Sequence, residues 1–348
     1  MEILREGGRA VASCLIIQPI HASGLERLRD AGIEVRNASA PDMATVAREI
    51  VGAAAAITRN AGLDRAAMVA ARDLVVLGVH GIGTDPVDID YANEIGLPVV
   101  FTPYANVQAV AEHTIALMLA VAKRIPAADR ATRAGNFDFK YRAGARELCG
   151  KTLGIVGYGR IGRRVAAVAR AAFDLKVLAY SPSADPDRLA DEGIRKCDAL
   201  ADLLAVADVV SLHVPLRDAT RQLIDADALA QMKPDAILIN TGRGAVVDET
   251  ALIAALETGR LAGAGLDVFE SEAMSADYPL LRLDNVVLSP HLAGSAEECL
   301  ERAAIEVAEQ VIDVLQGRRP PNLVNPEVWE RRRLPSPPSD ITPGRGGL

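Results

Sequence analysis

Short apolar runs alternate with helical stretches along most of this 348-residue chain. The first run, Cys-Leu-Ile-Ile at 14–17, precedes an amphipathic stretch at 23–31 and a second apolar run at 33–35, and the pattern repeats up to residue 101. Apolar runs that alternate with helical patterns are typical of βαβ units, whose strands form a parallel sheet covered by helices on both faces. These repeats therefore predict an α/β domain with a doubly wound parallel sheet.

A second alternating series follows a long helical stretch at 106–131, which could bridge two domains. Its apolar runs lie at 153–156, 176–180, 208–214, 236–239, 262–268 and 286–289. They predict a second doubly wound sheet. The last helical stretch, from residue 296 to about 315, is long enough to return to the first domain. We therefore expect a discontinuous first domain of residues 13–108 plus 300–329, a second domain of residues 109–299, and a disordered tail at 330–348 whose arginine run is solvated.

Composition narrows the range of partners. The net charge of −8 at pH 7 and the pI near 5.3 disfavour nucleic acid, because phosphate backbones require a concentrated basic surface. Aromatic residues make up only 3% of the chain, which leaves little on which bases could stack. The four cysteines are too scattered to indicate a metal site or a disulfide framework. No window is apolar enough for a membrane span, so we expect a cytoplasmic protein with a small-molecule partner.

A glycine-rich segment, Gly-Tyr-Gly-Arg-Ile-Gly at 157–162, directly follows the first apolar run of the second series. A helical pattern begins in the same segment, so the glycines occupy a turn between a strand and a helix. In such a turn Gly157 permits the tight bend, Gly159 lets the backbone approach a pyrophosphate, and Gly162 lets the helix pack closely on the strand. N–H groups at the start of the helix then point at the phosphates. The segment predicts a dinucleotide site of the Rossmann type.

The choice between NAD and NADP depends on the end of the next strand, where an acidic residue usually binds the adenosine ribose. Here the strand at 176–180 is followed by Ser181, and Asp174 lies before the strand, at its opposite end. A serine removes the repulsion that a carboxylate exerts on a 2′-phosphate, so NADP becomes permissible. No arginine follows closely, and Asp185 and Asp187 would oppose a phosphate. We therefore expect NAD, with NADP as the alternative.

Three later segments each follow a predicted strand and carry a charged residue: 239–244 with Arg243, 265–272 with Glu272, and 289–295 with His291. Ligands bind at the carboxyl edge of open α/β sheets, so we expect these side chains at one site. Histidine titrates near neutral pH and suits proton transfer to or from a substrate oxygen. Glu272 would orient the imidazole, and Arg243 would hold a substrate carboxylate in a planar fork. The set suits hydride transfer between a nicotinamide and a 2-hydroxy or 2-oxo acid, and the other histidines are interpreted as structural.

With these blocks in this order, the chain resembles the D-isomer-specific 2-hydroxyacid dehydrogenase family, which includes phosphoglycerate, glycerate, formate and D-lactate dehydrogenases and glyoxylate reductases. The resemblance covers residues from about 15 to 329. It implies that the first domain is a flavodoxin-like substrate domain and that the second is a Rossmann dinucleotide-binding domain. It also implies that Arg243, Glu272 and His291 are catalytic. A homodimer through the cofactor domain, with the loop at 131–150 exchanged, is implied by the resemblance only.

The resemblance further assigns binding roles to individual residues. Those on the cofactor side are Arg160 and Ile161 at the pyrophosphate, Val214 and Pro215 at the adenosine half, and Thr241, Asp267 and Gly294 near the nicotinamide half. Those on the substrate side are Gly81, Ile82 and Gly83, whose backbone would receive the substrate carboxylate, and Asn106 in the segment crossing between the domains. The chain departs from the family pattern at Ser181, Pro86 and Ala273. The last two departures concern the geometry of their loops.

Several choices stay open at this stage. Glu270 and Glu272 would lie on the same side of an extended segment, and only the family register selects Glu272. Arg59, at the end of an early strand, is either a second contact for the substrate carboxylate or a surface charge. The family also includes corepressors that bind the dinucleotide to assemble with partners, so an interaction protein is the alternative to an enzyme. The sequence selects neither the acid nor the direction of the reaction.

Overall fold

The computed structural model describes residues 12–271 and 274–334. The chain divides into two compact units, one of residues up to 106 together with those from 297 onwards, and one of residues 107–296. Each boundary lies at the first residue of a helix, which belongs whole to one unit. The predicted catalytic residue Glu272, its neighbour Ala273 and the tail from residue 335 lie outside the described residues. No helix among the described residues is long and apolar enough to cross a membrane.

The strands and helices are numbered here in chain order. The strands are β1 (Ser13–Ile16), β2 (Glu34–Asn37), β3 (Ala55–Thr58), β4 (Val76–Val79), β5 (Val99–Phe101), β6 (Thr152–Val156), β7 (Lys176–Tyr180), β8 (Arg195–Lys196), β9 (Val209–Leu212), β10 (Ile237–Asn240), β11 (Gly263–Leu266) and β12 (Val286–Leu288). The α-helices are α1 (Ala22–Asp30), α2 (Met43–Glu49), α3 (Arg65–Ala70), α4 (Ile89–Glu94), α5 (Val107–Ala122), α6 (Ile125–Arg133), α7 (Arg160–Phe173), α8 (Pro186–Asp191), α9 (Leu200–Leu204), α10 (Ala226–Gln231), α11 (Glu249–Glu257) and α12 (Glu297–Leu315).

The first unit contains a five-stranded sheet in the order β2-β1-β3-β4-β5, with every pairing parallel. This is the doubly wound order of flavodoxin-like folds. Strands β1, β3 and β4 are buried along their whole length, which explains why their sequences are continuous apolar runs. Helix α12 packs on α1 of the same unit, and a Cβ on Gly24 of α1 would lie only 2.6 Å from the carbonyl oxygen of Ala304. The predicted fold of this unit is confirmed.

The second unit contains a seven-stranded parallel sheet in the order β12-β11-β10-β9-β6-β7-β8. The chain enters at β6, moves to one edge through β7 and β8, and returns through β9 to build the other half. The winding reverses between β6 and β9, and the reversal opens a crevice at the carboxyl ends of these two strands. This Rossmann arrangement confirms the second doubly wound sheet that the apolar runs predicted.

Aspartates fix where many of the helices begin. At five helix starts an Asp side chain accepts a hydrogen bond from the backbone N–H three residues later, at Asp42, Asp64, Asp88, Asp225 and Asp248. Each such cap satisfies a donor that has no partner within the helix and stabilises the helix by about 1 kcal/mol. The short loops between strands and helices are therefore encoded locally, which keeps the carboxyl edges of both sheets well defined.

The long helical stretch predicted at 106–131 is wrong as a single helix. The structure has α5 and α6 instead, because the residue between them, Arg124, adopts a left-handed backbone with φ of 54°. Pro126 then lies in the first turn of α6. N–H groups in a first turn have no acceptor within the helix, so a proline there costs no hydrogen bond. Helix α5 buries apolar residues and α6 buries none, and Pro126 is the sequence signal of the break that the prediction of one helix left unused.

The start of the predicted disordered tail also needs correction. Residues up to 334 are described, and a 3-10 helix spans Pro326–Arg331 with Trp329 buried. The Arg332 guanidinium lies 3.9 Å from the centre of the Trp329 ring. Arg333 donates to the carbonyl oxygens of Ile95, at 3.1 Å, and of Ala71, at 3.2 Å. These arginines therefore satisfy carbonyl groups of the first unit, and they are not simply a solvated run.

Candidate active site

The glycine turn of the second unit joins β6 to α7 and is shaped by two close approaches. Gly157 has φ of 95°, and a Cβ there would lie 2.6 Å from the carbonyl oxygen of His213, which follows the neighbouring strand β9. A Cβ on Gly162, in the first turn of α7, would lie 2.3 Å from the carbonyl oxygen of Gly157. Neither position has room for a side chain. The packing of strand, turn and helix therefore requires glycine at both.

The middle glycine of the turn faces open space. Gly159 is the N-cap of α7, and a Cβ built on it would meet no atom of the described chain within 4 Å. Gly159 makes no side-chain cap, and the N–H groups of a first helical turn have no acceptor within the helix. Arg160 is exposed and Ile161 is half-buried beside it. A helix start with open space at its N-cap suits a pyrophosphate, and the binding of one here stays a prediction.

At the end of β7, where the adenosine ribose is expected, the structure places Ser181 in a buried position. Asp174 ends α7 at the opposite edge of the sheet, so it does not replace the missing acid. Asp185 caps α8 by accepting from the N–H of Asp187. The Nζ of Lys196 donates to the carbonyl oxygen of Ala184 at 3.0 Å, which brings a cation next to this loop. Val214 is half-buried and Pro215 exposed just beyond β9.

The loop that carries Arg243 is shaped by Asn240, the buried last residue of β10. The Asn240 side chain accepts from the N–H of Gly242 and donates to the carbonyl oxygen of Arg243, each at 3.0 Å. The Arg243 guanidinium donates to the Gly242 carbonyl oxygen at 2.8 Å. Thr241 makes a hydroxyl contact of 2.9 Å with Thr114 on α5. One buried amide therefore fixes the turn from which the guanidinium projects.

The turn that carries His291 is wrapped around the carboxylate of Asp267, which follows β11 and is fully buried. Asp267 accepts from the Ser289 hydroxyl at 2.6 Å, from the N–H of Leu292 at 2.7 Å and from the N–H of Ala293 at 2.9 Å. Its backbone carbonyl accepts from the N–H of His291 at 2.8 Å. Asp267 thus accepts hydrogen bonds from three consecutive N–H groups of this turn, those of residues 291 to 293.

His291 itself has φ of 53°, in the left-handed region that non-glycine residues seldom occupy. A strained backbone of this kind persists only where its surroundings impose it, and such residues concentrate at functional sites. Here the His291 N–H donates to the carbonyl oxygens of Asp267 and Ser289, and the next two N–H groups donate to the Asp267 carboxylate. The structure therefore presents the imidazole from a constrained turn at the carboxyl edge of the sheet.

The ionisation of Asp267 follows from its partners. Burial alone would raise the pKa of this carboxyl, but the hydrogen bonds from His113, Ser289, Ala293 and Leu292 outweigh burial and hold the pKa below its usual range. His113, on α5, lies 3.3 Å from the Asp267 carboxylate and 2.8 Å from the Ser289 hydroxyl.

Sequence reasoning interpreted His113 as structural and gave Asn240 and Ser289 no role. Asn240 and Ser289 lie within the predicted segments 239–244 and 289–295, but the sequence does not show which backbone groups or distant residues their side chains contact.

The segment before the undescribed Glu272 is held by Glu249, the buried first residue of α11. Glu249 accepts from the N–H of Glu270 at 3.2 Å and from the hydroxyl of Tyr278. Burial, and next the hydrogen bond to Glu249, raise the pKa of Tyr278 to about 12. The side chain of Glu270 belongs to an exposed residue, and the choice of Glu272 over Glu270 rests on the family register alone.

The predicted substrate residues of the first unit lie around the ends of β3, β4 and β5. Gly81 has φ of 149°, and its carbonyl oxygen accepts from the N–H of Thr102 at 3.0 Å. Arg59 is half-buried, and its guanidinium donates to the carbonyl oxygen of Pro19 at 3.2 Å. Burial, together with the nearby Arg59 charge, lowers the pKa of His80 to about 4, so this imidazole is neutral at pH 7. The Asn106 Oδ1 atom is buried and accepts no hydrogen bond from the described chain.

Replacing Asp267 by Asn tests the role of its charge. An amide cannot accept from every donor around it, so we expect Asp267→Asn to lower the free energy of unfolding by about 2 kcal/mol at neutral pH. The folded-state pKa is lowered, so the contribution of the carboxylate is complete above its ordinary value of 3.8 and is lost as the pH falls through the lowered pKa. The difference between the two proteins, measured by urea unfolding at neutral pH and near pH 3, should therefore shrink on acidification.

The control is Asp284→Asn, whose carboxylate is 84% exposed and whose loss should change stability little. A difference for Asp267→Asn that stays constant with pH would show that the charge is not what stabilises the turn.

Comparison with known proteins bears on both units. The profile of the family described as "D-isomer specific 2-hydroxyacid dehydrogenase, NAD binding domain" matches residues 115–293. A D-3-phosphoglycerate dehydrogenase from Archaeoglobus fulgidus is 38% identical over 312 residues, which are 89% of this chain and 59% of that protein. A glyoxylate reductase from Thermofilum pendens is 44% identical over 276 residues, 78% of this chain and 81% of that protein. The chain thus spans under two thirds of the phosphoglycerate dehydrogenase that it matches.

Solved structures agree with these matches. A D-lactate dehydrogenase from Aquifex aeolicus, complexed with NAD and lactic acid, has a TM-score of 0.80 at 30% identity, over 90% of this chain and 98% of that one. An NADPH-dependent glyoxylate/hydroxypyruvate reductase from Sinorhizobium meliloti, in complex with NADP and malonate, has a TM-score of 0.80 at 29% identity, over 90% and 97%. These relatives are named as dehydrogenases and reductases and lend no support to the corepressor alternative. The chain belongs to the D-isomer specific 2-hydroxyacid dehydrogenase family.

Proposed function

We propose that the protein is a nicotinamide-dependent oxidoreductase that interconverts a D-2-hydroxy acid and the corresponding 2-oxo acid. The observation that carries the proposal is the carboxyl edge of the second unit. There the glycine turn, the Arg243 loop and the strained His291 turn all follow strands of one parallel sheet. Family membership supports the same reaction class. In this proposal the second unit binds the cofactor and the first unit binds the acid.

The residues of the second unit fit a dinucleotide. The open space at Gly159, the uncapped start of α7 and the close packing at Gly157 and Gly162 suit a pyrophosphate. When bound, the nicotinamide accepts a hydride from the hydroxy acid or gives one to the oxo acid. We propose that Thr241 and Gly294 lie near that half of the cofactor. Asp267 is predicted to lie there too, and its carboxylate already receives the donors of the His291 turn.

His291 would move the proton that accompanies this transfer. In reduction its imidazolium would donate a proton to the carbonyl oxygen of the oxo acid, and in oxidation its neutral ring would take the proton of the hydroxyl group. Glu272 would orient the ring and stabilise its charged form. Arg243, fixed by Asn240 and Gly242, would pair with the carboxylate of the acid through its planar guanidinium.

The first unit would recognise the rest of the acid. Backbone N–H groups of Gly81, Ile82 and Gly83 would receive its carboxylate, and Arg59 and Asn106 would add polar contacts. The half-buried guanidinium of Arg59 favours a role in binding over that of a surface charge. The exposed rings of Phe137 and Tyr141, in the loop that the family resemblance implies is exchanged, support the expected homodimer.

We propose NAD as the preferred cofactor, with NADP as the alternative. Ser181 permits a 2′-phosphate and the Lys196 cation lies near the adjacent loop, but Asp185 and Asp187 oppose a further negative charge. Dissociation constants for NADH and NADPH, measured by fluorescence titration, should favour NADH. Ser181→Asp should weaken NADPH binding by at least about tenfold through charge repulsion and leave NADH binding nearly unchanged. Tighter binding of NADPH by the wild-type protein would reverse our ordering.

A pair of glycine variants separates cofactor binding from folding. Gly159→Ala adds a methyl group where no protein atom lies within 4 Å, so its stability should stay within about 0.5 kcal/mol of wild type while its affinity for NADH falls. Gly162→Ala forces a contact of 2.3 Å with backbone and should lower stability by about 1–3 kcal/mol. Thermal unfolding and NADH titration measure both effects. Unchanged NADH affinity in Gly159→Ala would place the pyrophosphate elsewhere.

A panel of 2-oxo acids with NADH and NADPH, followed at the nicotinamide absorbance, tests the reaction. Glyoxylate, hydroxypyruvate, its 3-phosphate and pyruvate cover the classes named among the relatives. With the best acid, His291→Ala should lower kcat by roughly 10² to 10⁴ with cofactor affinity nearly kept, and Arg243→Ala should raise KM as well. Arg27→Ala, on an exposed face of the first unit, is the control. Tight cofactor binding without turnover of any acid would reject the proposal that the protein is an enzyme of this class.

A further inference from the structure

Helix α5 reaches the carboxyl edge of the second unit with two consecutive side chains. Thr114 donates to the carbonyl oxygen of Val110 and contacts the hydroxyl of Thr241 in the loop that carries Arg243. His113 contacts Ser289 and Asp267, which hold the turn of His291. One helix therefore touches the loops of both predicted catalytic residues that the structure describes.

The direction of the hydrogen bonds around Ser289 follows from the charge of the Asp267 carboxylate, which can only accept. The Ser289 Oγ lies 2.6 Å from Oδ1 of Asp267, and because that carboxylate is ionised, the proton must come from the serine. The 2.8 Å contact between Ser289 Oγ and Nε2 of His113 therefore has the imidazole N–H as its donor. One chain of donors runs from His113 through Ser289 to Asp267, and Nε2 of His113 also lies 3.3 Å from Oδ1 of Asp267 itself. This is the reverse of a nucleophilic serine triad, in which the imidazole takes the serine proton.

The position of Asp267 explains why an additional donor matters. A buried carboxylate is stable only when hydrogen bonds replace its lost hydration. This one also has to accept the N–H groups of Leu292 and Ala293, which keep the following turn closed. If the carboxylate moved, those N–H groups would lose their acceptor, and if it gained a proton, they would keep only a weaker, neutral one. The turn that holds His291 at its φ of 53° would then lose part of its support.

We propose that His113 is a positioning residue, whose Nε2–H, acting through Ser289 and Asp267, holds the His291 turn in the conformation that proton transfer requires. The inference rests on the proposed function of His291. It assigns no contact between His113 and substrate or cofactor. A misplacement of about 1 Å in a reacting group can reduce a rate by about 10², so a donor outside the site can control turnover without changing what binds.

Two substitutions at this position separate the donor from the ring. His113→Phe keeps a ring of similar size and removes the N–H, whereas His113→Gln supplies an amide N–H near the place of Nε2. We expect His113→Phe to lower kcat by roughly tenfold to a hundredfold while the dissociation constant of NADH changes by less than about threefold. We expect His113→Gln to recover most of kcat. Equal impairment of the two variants, or an unimpaired His113→Phe, would overturn the proposal.

His21 offers a matched control in the other unit. Its ring also contacts a serine hydroxyl, Ser23 Oγ at 2.8 Å, and a carboxylate, Glu297 Oε1 at 3.1 Å. His21→Gln should leave kcat and NADH binding unchanged. If His113→Phe does not fold, as judged by thermal unfolding, Ser289→Ala breaks the same chain of donors with the smaller side chain. It should lower kcat in the same way, and normal kcat in Ser289→Ala would equally overturn the proposal.

A spectroscopic measurement distinguishes failure of this inference from failure of the proposed function. The ring-proton NMR signal of His291, assigned by its absence from His291→Ala, reports the environment of the imidazole whether or not an acid turns over. It should shift in His113→Phe, return toward the wild-type position in His113→Gln and stay in place in His21→Gln. If the His291 signal shifts in His113→Phe but the wild-type protein reduces no acid, the proposed function is rejected and the link between His113 and His291 is retained. If the wild-type protein is active but the His291 signal does not move in His113→Phe, only the link between His113 and His291 is rejected.

Discussion

A single buried carboxylate, that of Asp267, organises the carboxyl edge of the second unit. Removing a carboxylate from water is unfavourable by several kcal/mol unless donors replace its hydration. Here the donors come from the turn after β12, from Ser289 and from His113 on α5. The N–H of Asp267 also donates to the carbonyl oxygen of Asn240, at the end of the adjacent strand. The requirement to satisfy one charge therefore determines where a helix, a turn and two strand ends meet.

Asn240, the last residue of β10, and Asp267, the first residue after the neighbouring β11, each fix a loop, yet they differ in chemistry for a physical reason. The Asn240 loop presents one donor and one acceptor to the side chain, the N–H of Gly242 and the carbonyl oxygen of Arg243, and an amide matches both. The groups around Asp267 are all donors, and a carboxylate, which only accepts, matches them better than an amide would. The residue types follow from the hydrogen bonds that each loop leaves unmade.

The sequence was most informative where structure is local. Alternating apolar runs predicted both sheets because a buried parallel strand consists of consecutive apolar residues. The glycine turn was found because its steric requirements concern residues 157–162 themselves. The break at Arg124 was missed because a left-handed backbone leaves no mark in hydrophobicity and the signal of Pro126 was left unused. Arg331 and Arg333 were misinterpreted because their acceptors, such as the carbonyl oxygen of Ala71, lie more than 200 residues earlier.

The same distinction applies within the site. Arg243 and His291 could be predicted because each follows a strand, and parallel strands bring their carboxyl ends to one edge. His113 could not, because its contact with Ser289 joins residues 176 apart, from a helix that the apolar pattern presented only as a scaffold. A histidine among apolar residues has no sequence signal that separates a packing role from a polar one. What distinguishes His113 is that its ring nitrogen lies beside the buried carboxylate of Asp267. The two groups meet only when both strand ends and α5 have packed.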